Sequence, residues 1–305
     1  MPTRIVILGA GDIGRALAVV LEQAGHGVLL WDKDPQKVPN QKPLSGLVPQ
    51  AEVIFICVPS WALREVLIEI SPFLPYATTV VSLTKGIEVK SQKLADEVMC
   101  ELLSRNRPFA VLGGPLLAEE IVQGLQSVGV VASNNRAVYD RLAAVSQGTQ
   151  LMLEYSSHVH QIALAGVLKN IYSLMIGVAD GLAYGSNTKG WLVAQATHEM
   201  TEIFAFFRYP PAVILSTAGL GDLIATAFSP YSRNRKAGNE LARTGTIFTT
   251  SEGIVSLPPM LNLLGEGARR LPLLQTLRRI VIEKQPANQA LTECLSATVQ
   301  ARELE

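Results

Sequence analysis

A glycine-rich turn, GAGDIG at residues 9–14, lies between an apolar run and an amphipathic run near the start of the chain. The apolar run RIVILG (4–9) is typical of a buried strand, and the residues from Asp12 to Ala24 have the periodicity of a helix. The turn therefore restricts the first part of the chain to folds in which a strand passes directly into a helix.

Each glycine of this turn has a separate predicted task. Gly9 permits the tight turn, Gly11 lets the backbone approach a pyrophosphate, and Gly14 lets the helix lie close to the strand. Asp12 and Ile13 stand at the start of the helix, where free N–H groups and the helix dipole favour phosphate. The motif predicts a dinucleotide site, with an ordinary glycine-rich turn as the alternative.

Strand and helix patterns then alternate. Further strands are predicted at GVLLW (27–31), EVIFICV (52–58), TTVVSL (78–83) and FAVLG (109–113), and helices from Ser60 to Ile70 and around 90–103. Shorter apolar runs at 127–132 and 151–155 could extend the sheet, whereas the segment from Pro35 to Pro49 is predicted to be a loop. The alternation predicts an α/β, Rossmann-type, doubly wound parallel sheet.

From about residue 157 onward the helical period dominates and strand patterns vanish. We therefore predict two domains, a dinucleotide-binding domain over residues 1–156 and an all-α substrate and catalytic domain over residues 157–305.

Composition excludes several classes of partner. Lys and Arg together number 26, as do Asp and Glu, so the net charge is zero, and no long basic tract is present. Nucleic acid and anionic membranes are therefore not expected as partners.

No uncharged run reaches the roughly 20 residues of a membrane span, and the first apolar run is too short for a signal peptide, which predicts a cytoplasmic protein. Three widely spaced cysteines predict neither a metal site nor a disulfide, and each is expected to be small, apolar and buried.

Lys169 is the single formally charged residue between Tyr155 and Ala179, in a run that otherwise predicts a buried helix. An amine in such surroundings loses hydration, which lowers the pKa of a lysine and suits it to proton transfer. The alternative is a lysine whose ammonium group extends past the apolar face into water.

Two further clusters follow. Asp222 and Thr226 are four residues apart in AGLGDLIAT (218–226), and so share one face of a helix. In SRNRK (232–236), Ser232 can cap a helix whose first turn carries basic side chains and an asparagine, a combination that suits a phosphate. A capping role for Asp222 and a solvated basic helix start at 232–236 remain the alternatives.

Asp32 ends the second predicted strand about 20 residues after the glycine turn, where a carboxylate accepts hydrogen bonds from the adenosine ribose. This position favours NAD, and the neighbouring Lys33 could offset the repulsion of a 2′-phosphate. The sequence therefore favours NAD and leaves NADP open, while a solvated turn residue is the alternative for Asp32.

Motifs along nearly the whole chain resemble those of the bacterial NAD(P)-dependent glycerol-3-phosphate dehydrogenases. They are GAGDIG, VPS (58–60), KGIE (85–88), the Gly-Pro at 114–115, LAGVLKNIYSLMIGVADGLAYGSNTKGWL, HEM (198–200), AGLGDLIAT, SRNRK and SEG (251–253).

The resemblance implies a role for each matching position. Lys169 would be the proton donor and acceptor, and Lys85 and Asp222 would polarise or orient the reacting carbonyl. The other positions implied to bind substrate are Gly114, Asn170, Thr226, Ser232, Arg233 and Asn234. Positions implied to contact cofactor, besides those of the glycine turn and Asp32–Lys33, are Lys85, Ala118, Arg233 and Glu252.

The implied reaction is the interconversion of dihydroxyacetone phosphate and sn-glycerol 3-phosphate with NAD or NADP, which would serve phospholipid biosynthesis. The expected partner is thus a small phosphorylated three-carbon substrate, with no metal, and the family resemblance implies a homodimer.

The chain departs from the family pattern at the glycine turn and after the Gly-Pro. Asp12-Ile13 replaces the usual Ser-Trp, and Leu116 replaces a serine that lines the substrate site. Leu116 leaves open a related dehydrogenase for another phosphorylated or acidic 2-hydroxy compound. A catalytically weak nucleotide sensor is a third alternative. Finally, His158 and His160, before Lys169, are expected to be structural.

Overall fold

The structure is a computed structural model that describes residues 2–104 and 107–301. The chain divides into two compact units, Met1–Gly166 and Val167–Glu305. The boundary predicted after residue 156 falls at the end of the last strand and stays a prediction, whereas this division comes within the helix that follows.

The first unit contains a seven-stranded sheet and a small two-stranded one. The strands are β1 (Arg4–Leu8), β2 (Gly27–Trp31), β3 (Val53–Ile56), β4 (Thr79–Ser82), β5 (Ile87–Glu88), β6 (Lys93–Leu94), β7 (Phe109–Gly113), β8 (Ser127–Ala132) and β9 (Leu151–Ser156). The large sheet has the order β2-β1-β3-β4-β7-β8-β9, and β5 and β6 form the separate hairpin.

Neighbouring strands of the large sheet are parallel except for β7 and β8, which pair antiparallel with Val111 opposite Ala132. The prediction of a doubly wound α/β fold is confirmed. The prediction that the sheet is parallel was wrong at this one pair of strands. The connection from β7 to β8 contains only a five-residue helix, too short for a regular crossover, so the chain turns back.

The helices of this unit are α1 (Asp12–Gln23), α2 (Leu44–Leu47), α3 (Ser60–Ile70), α4 (Ala95–Leu102), α5 (Ala118–Val122) and α6 (Arg136–Ser146). The prediction of a loop from Pro35 to Pro49 was wrong over α2, which continues into a 3₁₀ turn at Val48–Gln50. Leu47 and Val48 are buried in an apolar cluster under the sheet, and this burial stabilises a helical turn despite the flanking prolines.

Both faces of the large sheet are covered. Along β1, Ile5 and Ile7 belong to one apolar cluster and Val6 and Leu8 to another. Successive side chains of a strand point to opposite faces, so the two clusters lie on either side of the sheet. This arrangement leaves the carboxyl edge of the parallel strands for chemistry.

The long helix α7 (Val159–Gly181) begins in the first unit and continues into the second, which contains no strand among its described residues. The other helices are α8 (Ser186–Phe206), α9 (Asp222–Phe228), α10 (Arg233–Thr244), α11 (Glu252–Leu264), α12 (Pro272–Val281) and α13 (Ala287–Ala301). Helix α7 is long and apolar enough to cross a membrane, but its most apolar 18-residue window is 100% buried within the protein, as in a core helix.

The cysteine prediction holds in part. Cys294 is buried, whereas Cys57 is only partly buried. Cys100 is exposed, contrary to the prediction, because it lies on α4 next to the buried Met99 and points away from the core.

Candidate active site

Most of the sequence-predicted residues of the first unit follow the carboxyl ends of its parallel strands. The glycine turn follows β1, Asp32 follows β2, Lys85 follows β4 and Gly114 follows β7. Because β2, β1, β3, β4 and β7 are successive parallel neighbours in the large sheet, these positions lie along one edge. The order reverses at β1, whose two neighbours are β2 and β3, which is where ligands bind in such sheets.

The glycine turn is built on close backbone contacts. Gly9 has a φ of +106°, and a Cβ there would lie 2.6 Å from the carbonyl oxygen of Cys57. A Cβ on Gly14 would lie 1.9 Å from the carbonyl oxygen of Gly9, so no larger residue fits. Gly11 differs, because a Cβ there would meet no atom within 4 Å.

The open side of Gly11 fits a cofactor phosphate. Gly11 is the N-cap residue of α1 and offers no side chain to its amides, so the N-terminal N–H groups can receive an anion. Asp12, the first helical residue, is exposed, and Ile13 is half-buried.

Asp32 anchors the glycine turn to the end of β2. Its side chain is buried, with the residue 8% exposed. Oδ2 accepts a hydrogen bond from the Ala10 amide at 2.7 Å, and Oδ1 accepts one from the Asp34 amide at 2.9 Å. The Lys37 ammonium group lies 3.5 Å from Oδ1, whereas Lys33 is exposed and pairs with Glu65.

Lys85 is directed along the sheet edge toward the Gly-Pro turn. Its Nζ donates a hydrogen bond to the carbonyl oxygen of Gly114 at 2.7 Å. Gly114 has a φ of +90°, a conformation that favours glycine, and a Cβ there would lie 3.0 Å from the carbonyl oxygen of Val128. Two predicted substrate residues thus form one hydrogen-bonded pair.

His160 lies in the first turn of α7 and its Nδ1 is 2.8 Å from Oδ2 of Asp96 on α4. The hydrogen bond to Asp96 raises the pKa of His160 although burial opposes it. The histidine is therefore tied to a neighbouring helix, which agrees with a structural role.

Lys169 lies in the second unit at the centre of a buried polar cluster. Its Nζ is 3.0 Å from Oδ1 of Asp222 and donates a hydrogen bond to Oγ1 of Thr226 at 2.7 Å. The Thr226 hydroxyl donates to Oδ1 of Asp222 at 3.2 Å, which places the two on one face of α9. Lys169 is 7% exposed and Asp222 1% exposed, so the ammonium group does not extend into bulk water.

Helix α9 is preceded by a π-helical turn at Thr217–Gly221. A Cβ on Gly219 would lie 2.3 Å from the carbonyl oxygen of Ile214, so the AGLGD segment folds tightly back on itself. Turns of this kind are frequent at functional sites, and here the turn places Asp222 at the first position of α9.

Asn170 links the start of α10 to the same helix as Lys169. Its Oδ1 accepts a hydrogen bond from Nδ2 of Asn234 at 2.8 Å. Oδ1 of Asn234 in turn accepts from the Gly253 amide at 2.9 Å. Glu252, beside that amide, is the half-buried first residue of α11.

The SRNRK segment begins α10 as predicted. Ser232 is the N-cap residue, and its hydroxyl accepts a hydrogen bond from the Arg235 amide at 3.2 Å. Arg233 is exposed at the first helical position. Arg235 instead turns back to pair with Asp180 near the end of α7.

Asp180 was not singled out in the sequence. It also pairs with Lys189, whose Nζ lies 3.0 Å from Oδ1. Burial pushes the pKa of Asp180 upward, but hydrogen bonds from Arg235 and Lys189 outweigh burial and hold it below its ordinary value. An acidic residue directly after the apolar run that contains Lys169 was the available signal.

Glu199, in the HEM motif, is a second residue without a predicted role, and it is 0% exposed. Its carboxyl group accepts hydrogen bonds from the Leu273 amide at 2.6 Å, the Leu274 amide at 3.0 Å and the Tyr172 hydroxyl at 2.9 Å. Burial raises the pKa of Glu199 to about 7. These hydrogen bonds hold the start of α12 against α7 and α8.

The second unit therefore joins a proton-transfer group to donors that suit an anion. A buried ammonium group held by a carboxylate and a hydroxyl can give a proton to an oxygen atom and take it back. The amide side chains and Arg233 at the α10 start can bind phosphate oxygens. Together these groups suit reduction of a carbonyl in a phosphorylated substrate.

Two family models match the chain: the NAD-dependent glycerol-3-phosphate dehydrogenase N-terminus over residues 34–139, and its C-terminus over residues 158–292. A glycerol-3-phosphate dehydrogenase (NAD(P)+) of Azotobacter vinelandii is 34% identical, with 94% of this chain and 92% of that protein covered. One from Geobacter sp. is 28% identical, with 99% of both covered.

Among solved structures, the glycerol-3-phosphate dehydrogenase of Coxiella burnetii has a TM-score of 0.87 at 30% identity, with 96% of this chain and 99% of that chain covered. The fold and the family resemblance are both confirmed. The chain belongs to the NAD(P)-dependent glycerol-3-phosphate dehydrogenase family.

Proposed function

We propose that this chain interconverts dihydroxyacetone phosphate and sn-glycerol 3-phosphate with NAD(P)(H), with Lys169 as proton donor and acceptor. The observation that carries the proposal is the buried cluster of Lys169, Asp222 and Thr226 in a member of this family. A buried Lys–Asp pair is costly unless it is hydrogen-bonded, and the Thr226 hydroxyl bonds to both members of the pair.

Proton transfer is assigned to Lys169. During reduction, negative charge develops on the C2 oxygen, and the Lys169 ammonium group supplies the proton. In the oxidation of sn-glycerol 3-phosphate the neutral amine takes the proton from the C2 hydroxyl. Asp222 holds the amine in place through Oδ1, and Lys85 and Asp222 orient or polarise the carbonyl.

Phosphate binding is assigned to the start of α10 and its neighbours. Arg233 contributes a charged fork, Asn170 and Asn234 contribute amide donors, and Thr226 is assigned to the phosphate through the family resemblance. Gly114 and Ser232 line the substrate. Because Asn170 is already bonded to Asn234, the two amides present their remaining polar atoms in a fixed arrangement.

The glycine turn is proposed to hold the cofactor, which supplies the hydride when bound. Gly11 is open on the side where a Cβ would lie, and Gly9 and Gly14 shape the backbone around it. Further contacts are assigned to Asp12, Ile13, Asp32, Lys33, Lys85, Ala118, Arg233 and Glu252. Asp32 opposes a 2′-phosphate, whereas Lys37 beside it reduces that opposition, so either NAD or NADP is accommodated.

Family membership further supports a cytoplasmic homodimer that supplies sn-glycerol 3-phosphate for phospholipid biosynthesis. Light scattering coupled to size-exclusion chromatography tests the dimer, and a monomeric mass would contradict it.

A substrate panel tests the reaction itself. Oxidation of NADH and of NADPH is followed with dihydroxyacetone phosphate, oxaloacetate, pyruvate and ketopantoate. We expect turnover with dihydroxyacetone phosphate alone. Faster turnover with an acid that lacks phosphate would indicate a related dehydrogenase, and no turnover with any substrate would indicate a nucleotide sensor.

A further inference from the structure

Arg235 has a different environment from Arg233, although both belong to the first turn of α10. Its Nε bonds to Oδ2 of Asp180. Its Nη1 donates to the carbonyl oxygens of Phe228 at 3.0 Å and Ser229 at 3.3 Å. The guanidinium group is thus committed to α7 and to the end of α9, rather than directed at a ligand.

The backbones of α7 and α10 approach closely where these side chains meet. A Cβ on Gly177 would lie 2.0 Å from the carbonyl oxygen of Arg235, and a Cβ on Gly238 would lie 2.1 Å from that of Leu174. The glycines set the distance between the two helices. Glycine contacts, however, provide no side chain that could form a polar link between the two helices.

The polar pairs on this contact supply what the glycines lack. Asn234 bonds to Asn170, and the next residue, Arg235, bonds to Asp180. Consecutive residues of α10 are therefore tied to two points of α7 that are almost three turns apart. Such an arrangement restricts the orientation of the α10 first turn relative to α7.

We propose that Asp180 and Arg235 are positioning residues for the substrate phosphate: they hold the first turn of α10 so that Arg233 and Asn234 bind the phosphate oxygens. This inference rests on the proposed function. The carboxylate of Asp180 contacts no reacting atom; it acts through Arg235.

The direction in which the KM changes in one variant distinguishes a positioning role of Asp180 from an effect of its charge alone. Asp180 is a negative charge near a site that binds an anion. If it acted by charge alone, Asp180→Asn would lower the KM for dihydroxyacetone phosphate. If it acts by position, the same change raises the KM, because the phosphate-binding turn loses its fixed orientation.

The experiment compares the wild-type chain with Asp180→Asn. We expect the KM for dihydroxyacetone phosphate and the inhibition constant of inorganic phosphate to rise together by about tenfold, the scale of one lost charge-assisted hydrogen bond, with kcat at saturation nearly unchanged. An unchanged or lower KM, or a loss confined to kcat or to thermal stability, overturns the proposal.

Arg235→Lys provides a second variant, since lysine keeps the charge but cannot bond to Asp180 and to the α9 carbonyls at once. We expect a similar rise in KM, and a double variant no worse than either single one, because both remove the same link. Additive losses overturn the coupling.

Glu293→Gln is the matched control. It breaks another arginine pair of the second unit, between Arg279 and Glu293, whose arginine side chain is 30% exposed, as that of Arg235 is. Its KM should equal that of the wild type. If the wild type itself lacks turnover with dihydroxyacetone phosphate, the proposed function fails. If the wild type turns over this substrate and the Asp180 and Arg235 variants have the same KM as the wild type, the positioning role alone fails.

Discussion

Ile13 and Leu116 pack against the same small apolar cluster, formed by Ala16, Val20, Ala118 and Ile121. Both positions depart from the family pattern, which has a tryptophan at the first and a serine at the second. Ile13 is smaller than the tryptophan of the family pattern, and Leu116 is larger than the serine. The Leu116 side chain also lies close to Gly129 on β8, so it fills core space instead of entering a polar substrate site.

We therefore expect Leu116→Ser to lower stability without changing the substrate. The variant leaves a gap and a hydroxyl group in an apolar cluster, which costs about 2 kcal/mol of unfolding free energy. Adding Ile13→Trp should recover part of this loss. Denaturant unfolding of the single and double variants measures both effects, and a change of preferred substrate in Leu116→Ser would show that the leucine does line the site.

Replacement of Gly11 should separate cofactor binding from folding. A Cβ at Gly11 meets no atom within 4 Å, so Gly11→Ala should lower the thermal midpoint only slightly, through the N-cap preference for glycine over alanine. The methyl group occupies the approach of the pyrophosphate, and we expect NADH affinity to fall about tenfold or more. Fluorescence titration of NADH provides the measurement.

Gly46→Ala is the control for this experiment, because a Cβ there also meets nothing within 4 Å and Gly46 lies in α2, away from the glycine turn. Equal NADH affinity in Gly11→Ala and Gly46→Ala would argue against a phosphate at Gly11.

Lys169→Ala should abolish proton transfer and leave NADH binding intact. We expect kcat to fall by about 10²-fold to 10⁴-fold, the range of general acid–base catalysis. Lys284→Ala is a suitable control, because Lys284 is another lysine of the second unit and its Nζ donates a hydrogen bond to the Val281 carbonyl at 2.8 Å instead of pairing with a carboxylate. Turnover retained in Lys169→Ala would remove the catalytic assignment.

Arg233→Ala should weaken the phosphorylated substrate specifically. Loss of a charged donor to phosphate predicts a KM for dihydroxyacetone phosphate that is about 10-fold to 100-fold higher. Arg243→Ala removes a second exposed arginine from the other end of α10 and should have no such effect. If both variants raise the KM equally, general positive charge rather than the start of α10 attracts the substrate.

Glu199 should make stability depend on pH. Its pKa is raised by burial from 4.5 to about 7, so between these values the folded chain binds a proton that the unfolded chain has lost. The contribution of Glu199 is therefore present at low pH and is lost as the pH rises through about 7.

Glu199→Gln removes this titration. We expect the difference in thermal midpoint between wild type and variant to shift in favour of the variant as the pH rises from about 5 to about 7, and to stay constant above. Parallel curves over the whole range would mean that Glu199 titrates normally.

The sequence predicted the parts of the site that depend on local pattern. The glycine turn, the Asp222–Thr226 face and the Ser232 cap each follow from spacing within one strand–turn–helix or one helix. The links between α7 and α10 could not be predicted, because the pairing of Asp180 with Arg235 depends on how two distant helices cross. The burial of Lys169 was one of two open alternatives, and only the position of Asp222 and Thr226 beside it decides between them.

The same limit applies to the fold. Alternating strand and helix patterns identified every strand of the large sheet, but the direction of β8 depends on how a short connection closes, which periodicity does not encode. Cys100 was predicted to be buried from residue type alone, whereas its position on the outer side of α4 decides its exposure.

The reversal between β7 and β8 also has a practical consequence. Because Ala132 lies opposite Val111, β8 ends at the edge of the sheet opposite the glycine turn. The exposed link that follows, around Asn134, is therefore a place where an affinity tag or a fluorescent dye can be attached without touching the sheet edge that carries the glycine turn.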